Sequence, residues 1–340
     1  MSKKAIVIGD IARHLNISVT TVSFILNGKA REKRISDELT EKVLKYVKEV
    51  NYSPNQLAQS LRTGKTNLIG LIVENISNPF FANVARLIEE NAYKKGFRII
   101  YCSSENNTAK ARELIKVFRE RKISAYIITP TSGTEEDIKA LLQENLSVVL
   151  FDRYFPDLPT NYVVVDNFQS TYNAIVHLIQ QGYQRIAFIT IKSDQTQMND
   201  RLDGYKKAMK ENNLKSCIKK ILFQENGHHY IEQITEFLRK EKTLDAIFFA
   251  TNYLGVSGLQ AIKNLNKKIP SDIGVVSFDD HELFRLYSPS ITAIVQPIEE
   301  IAQQLINILL KDIEKGKEGN ELKKIVLPAT LIVRESSQRK

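Results

Sequence analysis

The stretch DIARHLNISVTTVSFILN, residues Asp10 to Asn27, decides how the N-terminal part of this chain folds. Ile8, Ile11, Ala12 and Leu15 recur at helical spacing, and the pattern breaks at Asn16, a residue type that tolerates the left-handed backbone of a sharp turn. Ser18 then stands where an N-cap belongs, ahead of a second run from Val19 to Leu26 whose Val22, Ile25 and Leu26 share one face. Two short helices joined by so short a turn form a helix-turn-helix, whose second helix enters the major groove of DNA and presents its N-terminal residues to base edges. On that geometry Val19, Thr20, Thr21 and Phe24 face outward. A third helix over about Ser36 to Asn51, with Leu39, Val43, Val47 and Val50 at matching spacing, closes the bundle. Val7 offers the first helix no capping oxygen, so its first turn is expected to fray.

The charge distribution agrees with this reading. Residues 1–66 hold twelve Lys and Arg against six acids, a net +6 out of the chain's +9, the asymmetry expected of a segment that meets phosphates. Most of the loop basicity sits in KAREKR, Lys29 to Arg34, between helices two and three, which is either a phosphate contact or a solvated loop. At 340 residues and 43% hydrophobic content the chain can bury more than one core. No run approaches the roughly 18 apolar residues of a membrane span, and the start MSKKAIVIGD lacks a signal-peptide pattern, so a cytoplasmic protein with no membrane partner is expected. Cys102 and Cys217 are far apart in sequence and read as reduced and structural.

From Leu68 onward, short apolar runs alternate with amphipathic helical stretches. Strands are expected at Leu68–Val73, Phe97–Cys102, Ala125–Thr129, Val148–Phe151 and Val163–Val165, and the rhythm restarts at Arg185–Thr190, Ile218–Phe223, Asp245–Ala250 and Val275–Phe278. Helices are expected near Phe80–Lys95, Thr108–Arg121, Glu135–Glu144, Phe168–Gln181, Arg201–Glu211, Tyr230–Lys240, Leu254–Asn264 and Ile298–Glu314. The fold class is therefore α/β: a helix-turn-helix head followed by two doubly wound parallel-sheet lobes. Ligands of open parallel sheets bind beyond the carboxyl ends of the strands. At the ends of the apolar runs stand Asn75 with Phe80, Ser103, Thr129, Asp152 with Arg153, Asn252 and Asp279, a polar set with aromatics that suits a hydroxylated small molecule better than a lipid. His228 and His229 are adjacent and point apart, so no metal is expected there. No nucleophile elbow, phosphate-cradling glycine loop or zinc spacing occurs, so neither an enzyme nor a cofactor is expected.

The segments Asp10–Asn27 and NYSPNQLAQSL (51–61), continued by Ile69–Val73, Asn78–Phe81, Arg201–Tyr205 and Val276–Asp280, resemble the lactose/galactose repressor (LacI/GalR) family over essentially the whole chain. The resemblance implies a dimeric transcriptional repressor of a pseudo-palindromic operator, controlled by a small-molecule effector such as a sugar, on a periplasmic-binding-protein-like sensor. It implies a DNA-binding domain over 1–53, a hinge helix and linker over 54–66, and a sensor over 67–340. The first lobe would span about 67–165 plus 296–328, and the second about 166–295 plus 329–340. It places Leu61, with Ala58 before it, as a minor-groove wedge, and Ser18, Asn27, Lys33, Arg34, Tyr52 and Arg62 among the DNA contacts. It places Phe80, Phe81, Asp152, Arg201, Asn252 or its neighbour Thr251, and Asp279 at the effector, to which strand-end position adds Asn75 and Arg153. Phe24 stands where members carry a hydrogen-bonding residue, and it either touches a thymine methyl or packs on helix three. Arg201 and Asp203 alternatively form a simple pair at a helix start. Two other readings fit the same plan: a regulator gated by a partner protein over a vestigial cleft, and a solute-binding protein without a regulatory role.

Overall fold

The computed structural model describes residues 6–52, 66–223, 229–315 and 321–339. The chain divides into two compact units, one ending at Thr66 and one beginning at Asn67. In the first, α1 (Ile8–His14), α2 (Val19–Leu26) and α3 (Asp37–Glu49) form a small bundle. Asn16 takes φ +53°, which turns the chain out of α1, and the side chains of Ser18 and Ser36 cap α2 and α3 by accepting from Thr21 N (3.0 Å) and Leu39 N (3.3 Å). The missing cap at Val7 is offset in part: its N–H donates to the Asp10 carboxylate at 3.1 Å. Ile11, Ala12, Val22, Ile25 and Val43 are buried together, with Leu15, Leu26, Leu39 and Val47 packed against them.

The second unit carries two six-stranded sheets. The first holds β1 (Leu68–Val73), β2 (Arg98–Ser103), β3 (Ala125–Ile128), β4 (Ser147–Phe151), β5 (Asn161–Val165) and β11 (Lys324–Leu327), all parallel, in the order β2-β1-β3-β4-β5-β11. The second holds β6 (Ile186–Ile191), β7 (Cys217–Ile221), β8 (Ala246–Phe249), β9 (Gly274–Phe278), β10 (Thr292–Val295) and β12 (Thr330–Ile332), in the order β7-β6-β8-β9-β10-β12. Only β12 runs antiparallel, against β10. Central strands are buried along their whole length, as expected of parallel sheets covered on both faces. The covering helices are α4 (Pro79–Lys94), α5 (Thr108–Glu120), α6 (Glu135–Gln143), α7 (Asn167–Gln180), α8 (Thr196–Glu211), α9 (Tyr230–Lys240), α10 (Asn252–Asn264), α11 (Glu282–Leu286) and α12 (Ile298–Lys315). The chain passes between the sheets three times: after β5, after β10 and after β11.

Two differences from the sequence reading bear on the site. β10, β11 and β12 are three or four residues long, too short for a periodic signal, yet they widen both sheets. Helix α8 begins at Thr196 rather than Arg201, because its first turn, TQMND, is polar and its N-cap Gln195 makes no side-chain cap bond that would mark the start. Arg201 therefore lies in the second turn, and Gln197 stands one turn before it on the same face. Gly204 lets α8 approach α7, since a Cβ there would sit 2.3 Å from the Phe168 carbonyl oxygen.

Candidate functional site

On the head, α2 turns Val22 and Ile25 inward and leaves Ser18, Thr20 and Val19 exposed, Val19 by 47%. Phe24 is half-buried but stands outside the apolar cluster of the bundle, with the Lys33 ammonium 5.5 Å from its ring centroid. The hydroxyls of Ser18 and Thr21 lie 2.8 Å apart within the cap, and the Asn27 amide donates to the Ser23 carbonyl at 2.7 Å. Arg34 is exposed with φ +54°, and Lys33 pairs with Glu32 at 3.0 Å, an ion pair that, with Lys29 nearby, holds the Glu32 carboxyl below its usual range. Tyr52 is half-buried against the bundle core, and burial raises its phenol pKa. Ala58, Leu61 and Arg62 lie outside the described residues.

In the second unit, the carboxyl ends of strands from both sheets meet around a cleft lined from one lobe by Glu74, Phe80, Phe81, Asn106 and Asp152, and from the other by Gln197, Met198, Arg201, Phe223, Thr251, Tyr253 and Asp279. Asp152 (φ +70°) and Asp279 (φ +65°) follow β4 and β9 directly, and this left-handed backbone turns each carboxyl out of its sheet. Burial pushes Asp152 up to about 6 against the pull of Arg153 and Arg201, and it raises Asp279 against Arg201 and the Gln296 amide, which donates at 2.6 Å. Arg201 is 3% exposed, its guanidinium carbon 3.5 Å from the Phe278 ring centroid. It donates to Asn167 Oδ1 (2.8 Å) and the Ala250 carbonyl (2.7 Å) and lies 4.0 Å from Asp279. Asp203 pairs with Lys206 instead, so the helix-start pair does not form. Phe80, Phe81 and Phe151 form a ring cluster with centroids 5.0–6.0 Å apart.

Three expected effector residues are not among those lining the cleft, although two of them are bonded to residues that are. Arg153 is 2% exposed and spends its donors on Pro130 O (2.7 Å), Glu74 (2.8 Å), Asn106 (2.7 Å) and, from the other lobe, Gln195 (3.1 Å). Asn252 exchanges amide hydrogen bonds with Asn78 across the lobes (3.0 and 3.3 Å). Asn75 closes a turn by accepting from Ser77 N (2.7 Å) and donating to Glu105 (3.3 Å). Arg153 and Asn252 thus tie the lobes together, and Asn75 shapes a loop. Asp280 is a clamp: burial raises its carboxyl, but hydrogen bonds from Arg334 and Arg285 outweigh burial and leave it below the usual range.

Glu74, Asn106, Gln197, Met198, Phe223 and Tyr253 join the cleft although sequence reasoning missed them. Glu74 immediately follows β1, a signal of the kind that marked Asp152, whereas Gln197 was hidden by the misplaced helix start. Gln197 is 5% exposed, and its Oε1 is among the few buried side-chain atoms of the described residues with no hydrogen-bond partner.

Residues 7–55 match the family model described as bacterial regulatory proteins, lacI family, and residues 175–337 match a periplasmic binding protein-like domain. The chain is 30% identical over 332 residues, 97% of each sequence, to the ribose operon repressor of Halalkalibacterium halodurans. A periplasmic binding protein/LacI transcriptional regulator of Alkaliphilus metalliredigens, solved with D-xylulofuranose, superposes with a TM-score of 0.71 at 25% identity, covering 79% of this chain and 98% of that one. The lac repressor dimer bound to operator and an anti-inducer has the same fold over 99% of this chain and 100% of that one, with a TM-score of 0.86 at 21% identity.

Proposed function

Since this chain belongs to the LacI family of DNA-binding transcriptional regulators, we propose that it acts as a cytoplasmic, homodimeric repressor of a pseudo-palindromic operator, and that a sugar or sugar derivative in the cleft sets its operator affinity. The observation that carries the effector reading is the pairing of two carboxyls, Asp152 and Asp279, with the ring-stacked Arg201 in a cleft lined by Phe80, Phe81 and Tyr253. Carboxylates accept from adjacent hydroxyls, a guanidinium donates to ring and hydroxyl oxygens, and aromatic faces cover C–H surfaces. The orphaned Gln197 Oε1 adds an acceptor for a further hydroxyl. The ribose operon named by one relative and the D-xylulofuranose bound by another point to the same ligand class.

Dimerisation is supported by the sheet edges. β2 and β7 are edge strands that expose Tyr101 (52%) and Ile218 (36%) beside charged residues such as Arg98 and Lys220, with Tyr93 (62%) and Leu222 (62%) near them, apolar side chains that a second copy would cover. In the mechanism, the effector replaces or adds to the bonds that close the lobes, Asn78–Asn252 and Arg153–Gln195, and the altered lobe geometry changes how two subunits present their heads. A panel of free sugars in a thermal-shift assay, followed by operator titration with any hit, tests this. A hit that leaves operator affinity unchanged refutes effector control, and a panel without hits favours gating by a partner protein.

A further inference from the structure

Helix α2 reads VTTVSFIL, and none of these eight side chains forks into two hydrogen-bonding groups. Bidentate recognition of guanine needs Arg or Lys, that of adenine needs Asn or Gln, and cytosine is read by a carboxylate; α2 has none of them. Its hydroxyls are partly committed. Thr21 and Ser18 bond each other in the cap, and the amide of Asn27, the nearest planar donor, is bound to the Ser23 carbonyl. The helix offers the outside Val19, 47% exposed, the exposed Thr20 with its methyl, and Phe24, which lies outside the bundle core. Lys33 stands over one face of the Phe24 ring, a contact that holds the ring in place while Lys29, Arg31 and Arg34 remain exposed around it. The cations of that loop suit phosphates, which carry no sequence information. The apolar group that the major groove displays is the thymine C5 methyl.

We infer that this head identifies its half-site chiefly through thymine methyl groups, touched by Phe24 and Val19 of α2, rather than through hydrogen bonds to purine edges. This rests on the reading of the head as a sequence-specific DNA binder and names what it reads. Each methyl buried against Val19 or Phe24 is worth about a fourfold gain in affinity, and one methyl in each of two half-sites about fifteenfold.

The test uses the full-length protein and a random-sequence DNA duplex library. The enriched duplex is resynthesised with deoxyuridine in place of each thymidine in turn, then with 5-bromodeoxyuridine, whose bromine restores the bulk of the methyl. At one or two positions per half-site, uracil should weaken binding about fourfold each and 5-bromouracil should recover it. Phe24→Ala should be insensitive to uracil at one of these positions while keeping its sensitivity to uracil at the position read by Val19, which shows the head folded. Phe24→Arg should change the preference there from T·A to G·C. A wild-type protein that tolerates uracil at every position overturns the inference and leaves sequence-specific binding standing. Enrichment of no sequence at all overturns both.

Discussion

Arg201 meets three kinds of group at once: a side-chain amide oxygen, a backbone carbonyl, and a ring on which its guanidinium stacks. Replacing it with Ala should abolish the effect of an effector on operator affinity while leaving operator binding itself intact, which fluorescence anisotropy with and without the sugar hit measures. The same change leaves Asn167 Oδ1 and the Ala250 carbonyl short of a donor and should cost about 1–3 kcal/mol in urea unfolding. Asp152 gives the site a pH dependence. Its folded-state pKa of about 6 lies above the ordinary aspartate value of 3.8, so the folded protein holds a proton that the unfolded chain has released. This group's contribution to stability therefore falls as pH rises from about 4 to 6 and is flat above. An effector whose hydroxyls need the ionised carboxylate should bind about tenfold more weakly at pH 5 than at pH 7, and titration calorimetry at the two values decides it. Asp152, Asp279 and Arg201 were legible because they adjoin a strand end or a motif. The spent donors of Arg153 were not, because its partners Pro130, Asn106 and Gln195 come from three other loops.

Elements were legible where they are long and periodic and obscure where they are short. β1 and α9 have the boundaries expected from apolar spacing, since a buried strand of six residues and an amphipathic helix of eleven carry strong patterns. β12 is a three-residue strand, and β10 beside it and β11 in the other sheet are scarcely longer; they exist because a wider sheet stands ready to pair with them, a tertiary cause with no local signature. The packing of α7 on α8 was likewise invisible, although the glycine that permits it was in view within Arg201–Tyr205. Gly204→Ala should force the two helices apart, lowering unfolding free energy by about 1–3 kcal/mol or more in urea denaturation and weakening effector binding, because Asn167 on α7 and Arg201 on α8 would separate. Unchanged stability would show that α7 yields at little cost.

For the molecule as a whole, the proposed control has a strict thermodynamic form: the factor by which effector changes operator affinity must equal the factor by which operator changes effector affinity. Titrating each ligand in the presence of the other measures both, and unequal factors would show that more than one equilibrium is being read. Sedimentation of Tyr101→Asp should show a shift toward monomer with a loss of operator affinity of about tenfold or more, since a charge on the exposed β2 edge opposes pairing of two copies. The route of the chain through the two sheets has a consequence for biosynthesis. The head's core is closed by residue 52, whereas β5 waits for β11 and β10 for β12, both beyond residue 320. At translation rates of about 5–20 residues per second, roughly 15–55 s separate a finished head from a finished sensor. During that interval every nascent chain carries a formed reader and no finished sensor to govern it, so any control of the reader begins only once the last strands have joined their sheets.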